Sequence, residues 1–149
     1  MARYSGICSG CVWDYVYGDL TTEDWDAHLA TICQVIEGGY PEADTFLSIT
    51  YSLNEISAKQ RKQLMDVIRS ERNDLRKIKG RALVVDSLAA RAAILTLSWM
   101  LLKSFDLRVF AVPRPALDWL ASRSTQFDGE KVITEIRNTV QREHLWEKI

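Results

Sequence analysis

Two places in this chain carry side chains whose type and spacing suit chemistry, and the first is Asp86 with Ser87. They stand between a short apolar run, residues 82–85, and a long helical segment that begins at Leu88. A serine at a helix start offers its hydroxyl to free backbone N–H groups. A phosphate there would be stabilised by the same groups and by the helix dipole, with Arg91 one turn along. The pair is therefore either a phosphorylation site or simply the N-cap that a helix start favours.

The second place is Cys8 and Cys11, which have the spacing of a redox pair or of half a zinc site. A redox pair of the thioredoxin kind follows a strand and opens a helix, whereas this pair lies in or before the first predicted strand. A structural zinc site needs four ligands, and the remaining candidates are Cys33, His28 and His144. Positions three apart on one strand also face opposite sides. We expect small reduced thiols, no metal and no cofactor.

Charge is distributed unevenly, although the formal net charge is only −1. Residues 1–58 carry nine acidic side chains against one basic, whereas residues 59–81 carry nine basic against three acidic. The basic face of this second segment consists of Arg61, Lys62, Arg69, Arg72 and Arg76. It is either a solvated helix face or a docking surface for an acidic partner, whose capture would weaken with salt. No aromatic residues are interleaved with it, so nucleic acid is not the expected partner.

The elements that must position these residues alternate along a chain of 149 residues, a length that suits one domain. Apolar runs at 82–85 and 107–112 each precede a helical segment, and the order strand then helix occurs four times. Strands that are apolar throughout are typical of a sheet with both faces covered. We predict an α/β fold with a four- or five-stranded, mostly parallel or mixed sheet and helices packed on it. Residues 7–17 read as extended structure that folds back as a hairpin or forms an antiparallel edge.

Helix signals complete this layout. Thr21 or Thr22 is expected to cap the first helix, and Ser57 to Gln60 fit a capping box that opens the basic helix. The helix over 88–102 is apolar almost all round, so we expect it to be the most buried. Residues 125–149 form an appended amphipathic helix that packs on the domain of residues 1–124 or on a partner. Truncation after Thr125 should therefore change solubility or oligomeric state.

Three stretches resemble the STAS superfamily, and in particular its SpoIIAA-like branch. They are residues 17–25 (YGDLTTEDW), 107–112 (LRVFAV) and 116–120 (ALDWL), and the similarity of layout covers roughly residues 7–122. The resemblance implies a domain that binds other proteins. In the anti-sigma-factor antagonists of this superfamily, the partner kinase phosphorylates a serine beside an aspartate, and Asp86 and Ser87 occupy a similar place. The run Asp-Ser-Ser-Gly of those proteins is replaced here by Asp86, Ser87, Leu88 and Ala89.

From these features we expect a non-enzymatic regulatory or scaffolding module that binds another protein or a second copy of itself. The chain lacks a glycine-rich phosphate loop, a serine elbow and a paired acidic motif, so an enzyme is less favoured. It also lacks a signal peptide and an apolar run of the ~20 residues that a membrane span needs, so we expect a cytoplasmic protein. The alternative is a carrier or sensor whose apolar pocket is lined by Trp99, Met100 and Phe105.

Overall fold

The computed structural model describes residues 2–18, 21–36, 40–51, 57–69, 78–100 and 107–140. These ranges contain five strands and five helices. In chain order they are β1 (Ala2–Cys8), β2 (Cys11–Tyr17), α1 (Thr22–Ile36), β3 (Thr45–Tyr51), α2 (Ala58–Arg69), β4 (Gly80–Val85), α3 (Leu88–Met100), β5 (Leu107–Phe110), α4 (Pro113–Arg123) and α5 (Gly129–Val140).

The strands form one mixed sheet in the order β1-β2-β3-β4-β5. The pair β1 and β2 is antiparallel, and the neighbours from β2 to β5 are parallel. β2, β3 and β4 are each followed by a helix that returns the chain to the next strand, as parallel pairing demands. The predicted α/β fold, with its mixed sheet and its packed helices, is confirmed.

The extended segment predicted over residues 7–17 folds back as a hairpin, which was one of the two alternatives. The hairpin begins earlier than predicted, at Ala2. Its two-residue turn consists of Ser9 and Gly10, which have φ angles of 51° and 70°. Two positive φ angles are the signature of the tight turn that matches the twist of paired strands, and glycine adopts one without steric cost. The turn leaves Cys8 directly opposite Cys11.

Strand alternation divides the core between the two faces of the sheet. On one face, α4 and α5 cover the larger cluster, which includes Trp13 and Tyr15 of β2 and Leu47 and Ile49 of β3. The buried side chains that α4 and α5 add are Ala116, Leu117, Leu120, Val132, Ile133, Ile136 and Val140. The appended C-terminal helix predicted within residues 125–149 therefore packs on the sheet within the molecule over its described part, Gly129–Val140.

The opposite face carries two smaller clusters. One contains Val12 and Phe46, against which Ile32 of α1 packs, and the other contains Val85 with Ala90 and Ile94 of α3. The two predicted caps are present here. Thr21 accepts the backbone N–H of Asp24 at 3.2 Å, and Ser57 accepts that of Gln60 at 3.1 Å. The Gln60 side chain accepts the Ser57 N–H at 2.9 Å, which completes the predicted capping box.

Candidate functional site

The C-terminal ends of β3 and β4 bring three polar side chains to one end of the sheet, namely Tyr51, Asp86 and Ser87. Tyr51 ends β3, and the other two follow β4, which pairs with β3. Burial, with a smaller contribution from the Asp86 charge, raises the pKa of the Tyr51 hydroxyl. The end of this sheet is where sites of α/β domains usually form.

Ser87 has the geometry of a helix cap. Its hydroxyl accepts the backbone N–H of Ala90 at 3.3 Å, and its carbonyl accepts that of Arg91 at 2.9 Å. The Arg91 guanidinium donates to the carbonyl oxygens of Val85 at 3.0 Å and Asp86 at 3.4 Å. These two hydrogen bonds connect the first turn of α3 to the C-terminal end of β4. Phosphorylation of Ser87 stays a prediction.

The outer face of α3, which we define as Leu88, Ala92 and Leu95, differs from the sequence-based prediction. These positions recur at helical spacing, and Leu88 is 75 % exposed and Leu95 44 % exposed. Over residues 88–96, whose side chains are described, only Ala90 and Ile94 are buried. The prediction that this helix is the most buried is therefore wrong for that part of it.

The reason lies in the position of α3 at the edge of the sheet. It packs on β4 and on β5, and β5 has only four residues with partly buried or exposed side chains. Such a short edge strand offers little surface for a helix to cover. Val112, just beyond β5, is 46 % exposed at the same edge of the sheet. The apolar outer face of α3 thus remains open to water, which is unusual for a helix of this composition.

The basic helix is described only in part. Arg61 and Lys62 are exposed on α2, as a docking or solvated face requires. The side chain of Arg69, and all of Arg72 and Arg76, lie outside the described residues. The predicted apolar pocket is not described either. The side chains of Trp99 and Met100, and all of Phe105, lie outside the described residues. Both remain predictions.

Cys8 and Cys11 are adjacent across the hairpin turn. The argument that positions three apart face opposite sides of a strand is wrong here, because the two residues belong to different strands and form a directly opposed pair. Cys33 lies on α1, away from the pair in sequence, and no disulfide joins any of the three cysteines, all of which lie within the described residues. Among the described residues, no group of three or more potential ligands is placed to hold a metal ion.

A buried charge cluster under α1 was missed by the sequence analysis. Asp14 of β2 is 1 % exposed, forms an ion pair with Arg3 at 3.4 Å and contacts His28 Nδ1 through its second oxygen. Arg3 also donates to the Thr31 hydroxyl at 2.5 Å. His28, a candidate zinc ligand in the sequence analysis, is therefore bonded to a buried carboxylate. A single charged residue within the apolar run 12–16 was the available signal, because a charge there must find a partner.

No family model matches the chain, and no curated protein matches it. Among solved structures, it is similar to an uncharacterized protein of the DUF3478 family from Shewanella loihica PV-4, described as having a SpoIIAA-like fold. The identity is 15%, the match covers 80% of this chain and 92% of that chain, and the TM-score is 0.46.

At this identity and TM-score the similarity carries no conclusion about this chain, and the similar protein is itself uncharacterized. Within the part of the chain that the structure describes, no helix is both long and apolar enough to cross a membrane.

Proposed function

We propose that this chain is a non-enzymatic regulatory or scaffolding module that binds a protein surface through the outer face of α3. The observation that carries the proposal is the exposure of Leu88 and Leu95 on a helix that is apolar almost all round. Covering a leucine side chain contributes about 1.5–3 kcal/mol relative to leaving it in water. A contiguous apolar face of this kind is typical of an interaction surface.

A second copy of the chain is the partner that the charge pattern favours. Over residues 88–96, Arg91 is the one charged residue, and its guanidinium is bound to the carbonyls of Val85 and Asp86. Two copies of the outer face of α3 can therefore meet about a twofold axis without opposing like charges. Such an axis joins the same patch of both molecules, so the patch must be complementary to itself, and an uncharged apolar face meets that condition.

The buried polar groups support a role without catalysis. Asp14 is paired with Arg3 and His28. The Ser124 hydroxyl donates its one proton to the Asp44 carboxylate, whose two oxygens lie 2.8 and 2.7 Å from the Ser124 Oγ. Asp14, Asp44 and Ser124 are each less than a tenth exposed. These groups connect elements of the fold to one another. Because they are buried, a substrate in solvent cannot reach them.

Site-specific cross-linking tests the docking face. A photoreactive phenylalanine analogue at position 95 should give a covalent dimer of purified protein, because the proposed contact places it against the second copy. The same analogue at Thr134, an exposed position on α5, is the matched control and should give none. Equal dimer yields from the two positions, or no dimer from position 95, would overturn the proposed contact.

Ser87 is expected to link this contact to regulation. Ser87→Ala removes a cap and should lower the free energy of unfolding by about 1 kcal/mol while leaving self-association unchanged. Ser87→Asp places a negative charge beside Leu88 in each copy and should weaken self-association. Chemical denaturation and the concentration dependence of the mass measure the two effects. If both variants associate like the wild type, Ser87 is a cap and has no regulatory role.

A further inference from the structure

The hairpin turn at one end of the sheet places two thiols in register. Cys8 and Cys11 flank the two-residue turn, and their α-carbons are paired across the strands. Directly opposed residues of an antiparallel pair project to the same face, with β-carbons about 4.5–5.5 Å apart. We propose that Cys8 and Cys11 are a redox site, closed reversibly to an intramolecular disulfide by a low-molecular-weight disulfide such as oxidised glutathione. This site is independent of the contact proposed for α3.

The geometry favours a bridge that opens again. A disulfide needs β-carbons about 3.5–4.5 Å apart, so closing it between directly opposed residues draws the two strands together by up to about 1 Å. Strain of this kind makes a disulfide easier to reduce, and easily reduced disulfides are the regulatory ones. A bridge at this place is therefore labile, in contrast to the bridges that stabilise secreted proteins.

The reduced hairpin already holds the two thiols opposite each other. The carbonyl of Gly10 accepts the backbone N–H groups of Asp44 at 2.9 Å and Thr45 at 3.1 Å, and the Thr45 hydroxyl at 3.0 Å. These three bonds fix the turn to the start of β3. Little conformational freedom remains to be lost when the two sulfurs join.

The two thiols differ in solvent exposure, and this difference determines which of them reacts first with the small disulfide. Cys8 is partly exposed, whereas Cys11 is 0 % exposed. The Cys8 thiolate attacks one sulfur of the small disulfide, whose S–S bond breaks and releases one small thiolate. The Cys11 thiolate then attacks the Cys8 sulfur of this mixed disulfide and releases the second. Two protein thiols thereby lose two electrons and two protons, and the small disulfide becomes two thiols.

The second step is expected to be the slow one. Burial raises the pKa of the Cys11 thiol to about 12, partly offset by a hydrogen bond with the Thr45 side chain. Only the thiolate attacks, and its fraction rises about tenfold per pH unit while the pH stays below the pKa. Closure of the mixed disulfide should therefore accelerate steeply between neutral and alkaline pH.

Mass spectrometry of the full chain tests the site. The reduced protein is incubated with mixtures of oxidised and reduced glutathione, quenched with acid and alkylated. Cleavage after Trp13 leaves Cys8 and Cys11 on one peptide and Cys33 on another. We expect the first peptide to lose two hydrogens and both alkylation sites under oxidising mixtures. It should regain them when excess reduced glutathione is added.

Two variants make the result specific. Cys11→Ala cannot close the bridge, so a glutathione adduct should accumulate on Cys8, whereas Cys33→Ser should behave like the wild type. Four results would overturn the proposal: thiols that stay fully alkylated, a wild-type adduct as persistent as that of Cys11→Ala, a bridge that includes Cys33, or a bridge that reduced glutathione does not reopen.

Discussion

The variant Ile136→Asp is expected to lower the free energy of unfolding by about 5 kcal/mol or more. Ile136 is 1 % exposed and packs in the larger core cluster between α5 and the sheet. Loss of a buried isoleucine costs about 2–5 kcal/mol, and burying a carboxylate without a partner adds to that. Since single domains are stable by only about 5–15 kcal/mol, the variant should be largely unfolded or insoluble at 37 °C.

Asn138→Asp is the matched control, because it adds the same charge at an exposed position of the same helix. Its midpoint in a urea titration should stay close to that of the wild type, as is usual for surface substitutions. If Ile136→Asp had the same midpoint as Asn138→Asp, α5 would not be part of the folded core. The same result would follow from a helix that only a partner holds in place.

Removal of the Asp14 carboxylate has the second largest expected effect. Asp14→Ala leaves Arg3 without its anion and removes the carboxylate that His28 Nδ1 contacts. Both side chains are largely buried, since they are 15 % and 12 % exposed. Removing one partner of a buried ion pair lowers the free energy of unfolding by about 3–5 kcal/mol. Much of this is the cost of keeping the remaining charge out of water. We therefore expect Asp14→Ala to shift the denaturation midpoint far more than an alanine at an exposed acidic position such as Asp26.

A double-mutant cycle separates this effect from simple loss of packing. If the cost comes from an unpaired charge, Arg3→Met combined with Asp14→Ala should be more stable than the sum of the two single effects predicts. Additive costs would show that the ion pair between Arg3 and Asp14 contributes little. In that event Asp14 would act mainly through His28.

Short-range sequence patterns were sufficient to predict the elements whose structure depends on neighbouring residues. The capping box at Ser57 and the apolar runs 82–85 and 107–112 are visible in the sequence because they depend on contacts within a few residues. The first run lies in β4, whereas only residues 107–110 of the second form β5. The alternation of strands and helices then restricts the sheet to a small number of topologies, of which the observed mixed sheet is one.

The exposure of α3 could not be predicted in the same way. Its sequence indicates an apolar surface all round, yet burial depends on which neighbours cover each side. Those neighbours, β4 and the short strand β5, are set by the sheet order rather than by the helix itself. The candidate docking face therefore emerges only when Leu88 and Leu95 are placed at the sheet edge.

The cysteine pair and the Asp14 cluster required the register of the first hairpin. Reading residues 7–17 as continuous extended structure put Cys8 and Cys11 on opposite sides, whereas a turn at Ser9 and Gly10 puts them side by side. The same turn starts β1 early enough to bring Arg3 against Asp14. The two-residue turn determines which side chains of β1 share a face with those of β2, so the error concerned the placement of one strand relative to the other.

The most direct test of the proposed function is the mass of the purified protein as a function of its concentration, measured by sedimentation equilibrium. The wild type should pass from a monomer of 17.0 kDa toward twice that mass. The double variant Leu88→Lys with Leu95→Lys should remain a monomer, because it places four lysines in a contact that otherwise holds no opposing charges. Thr134→Lys with Asn138→Lys adds the same charge on α5 and should associate like the wild type. A wild-type protein that stays monomeric at every concentration, or a Leu88 and Leu95 double variant that dimerises equally well, would contradict the account.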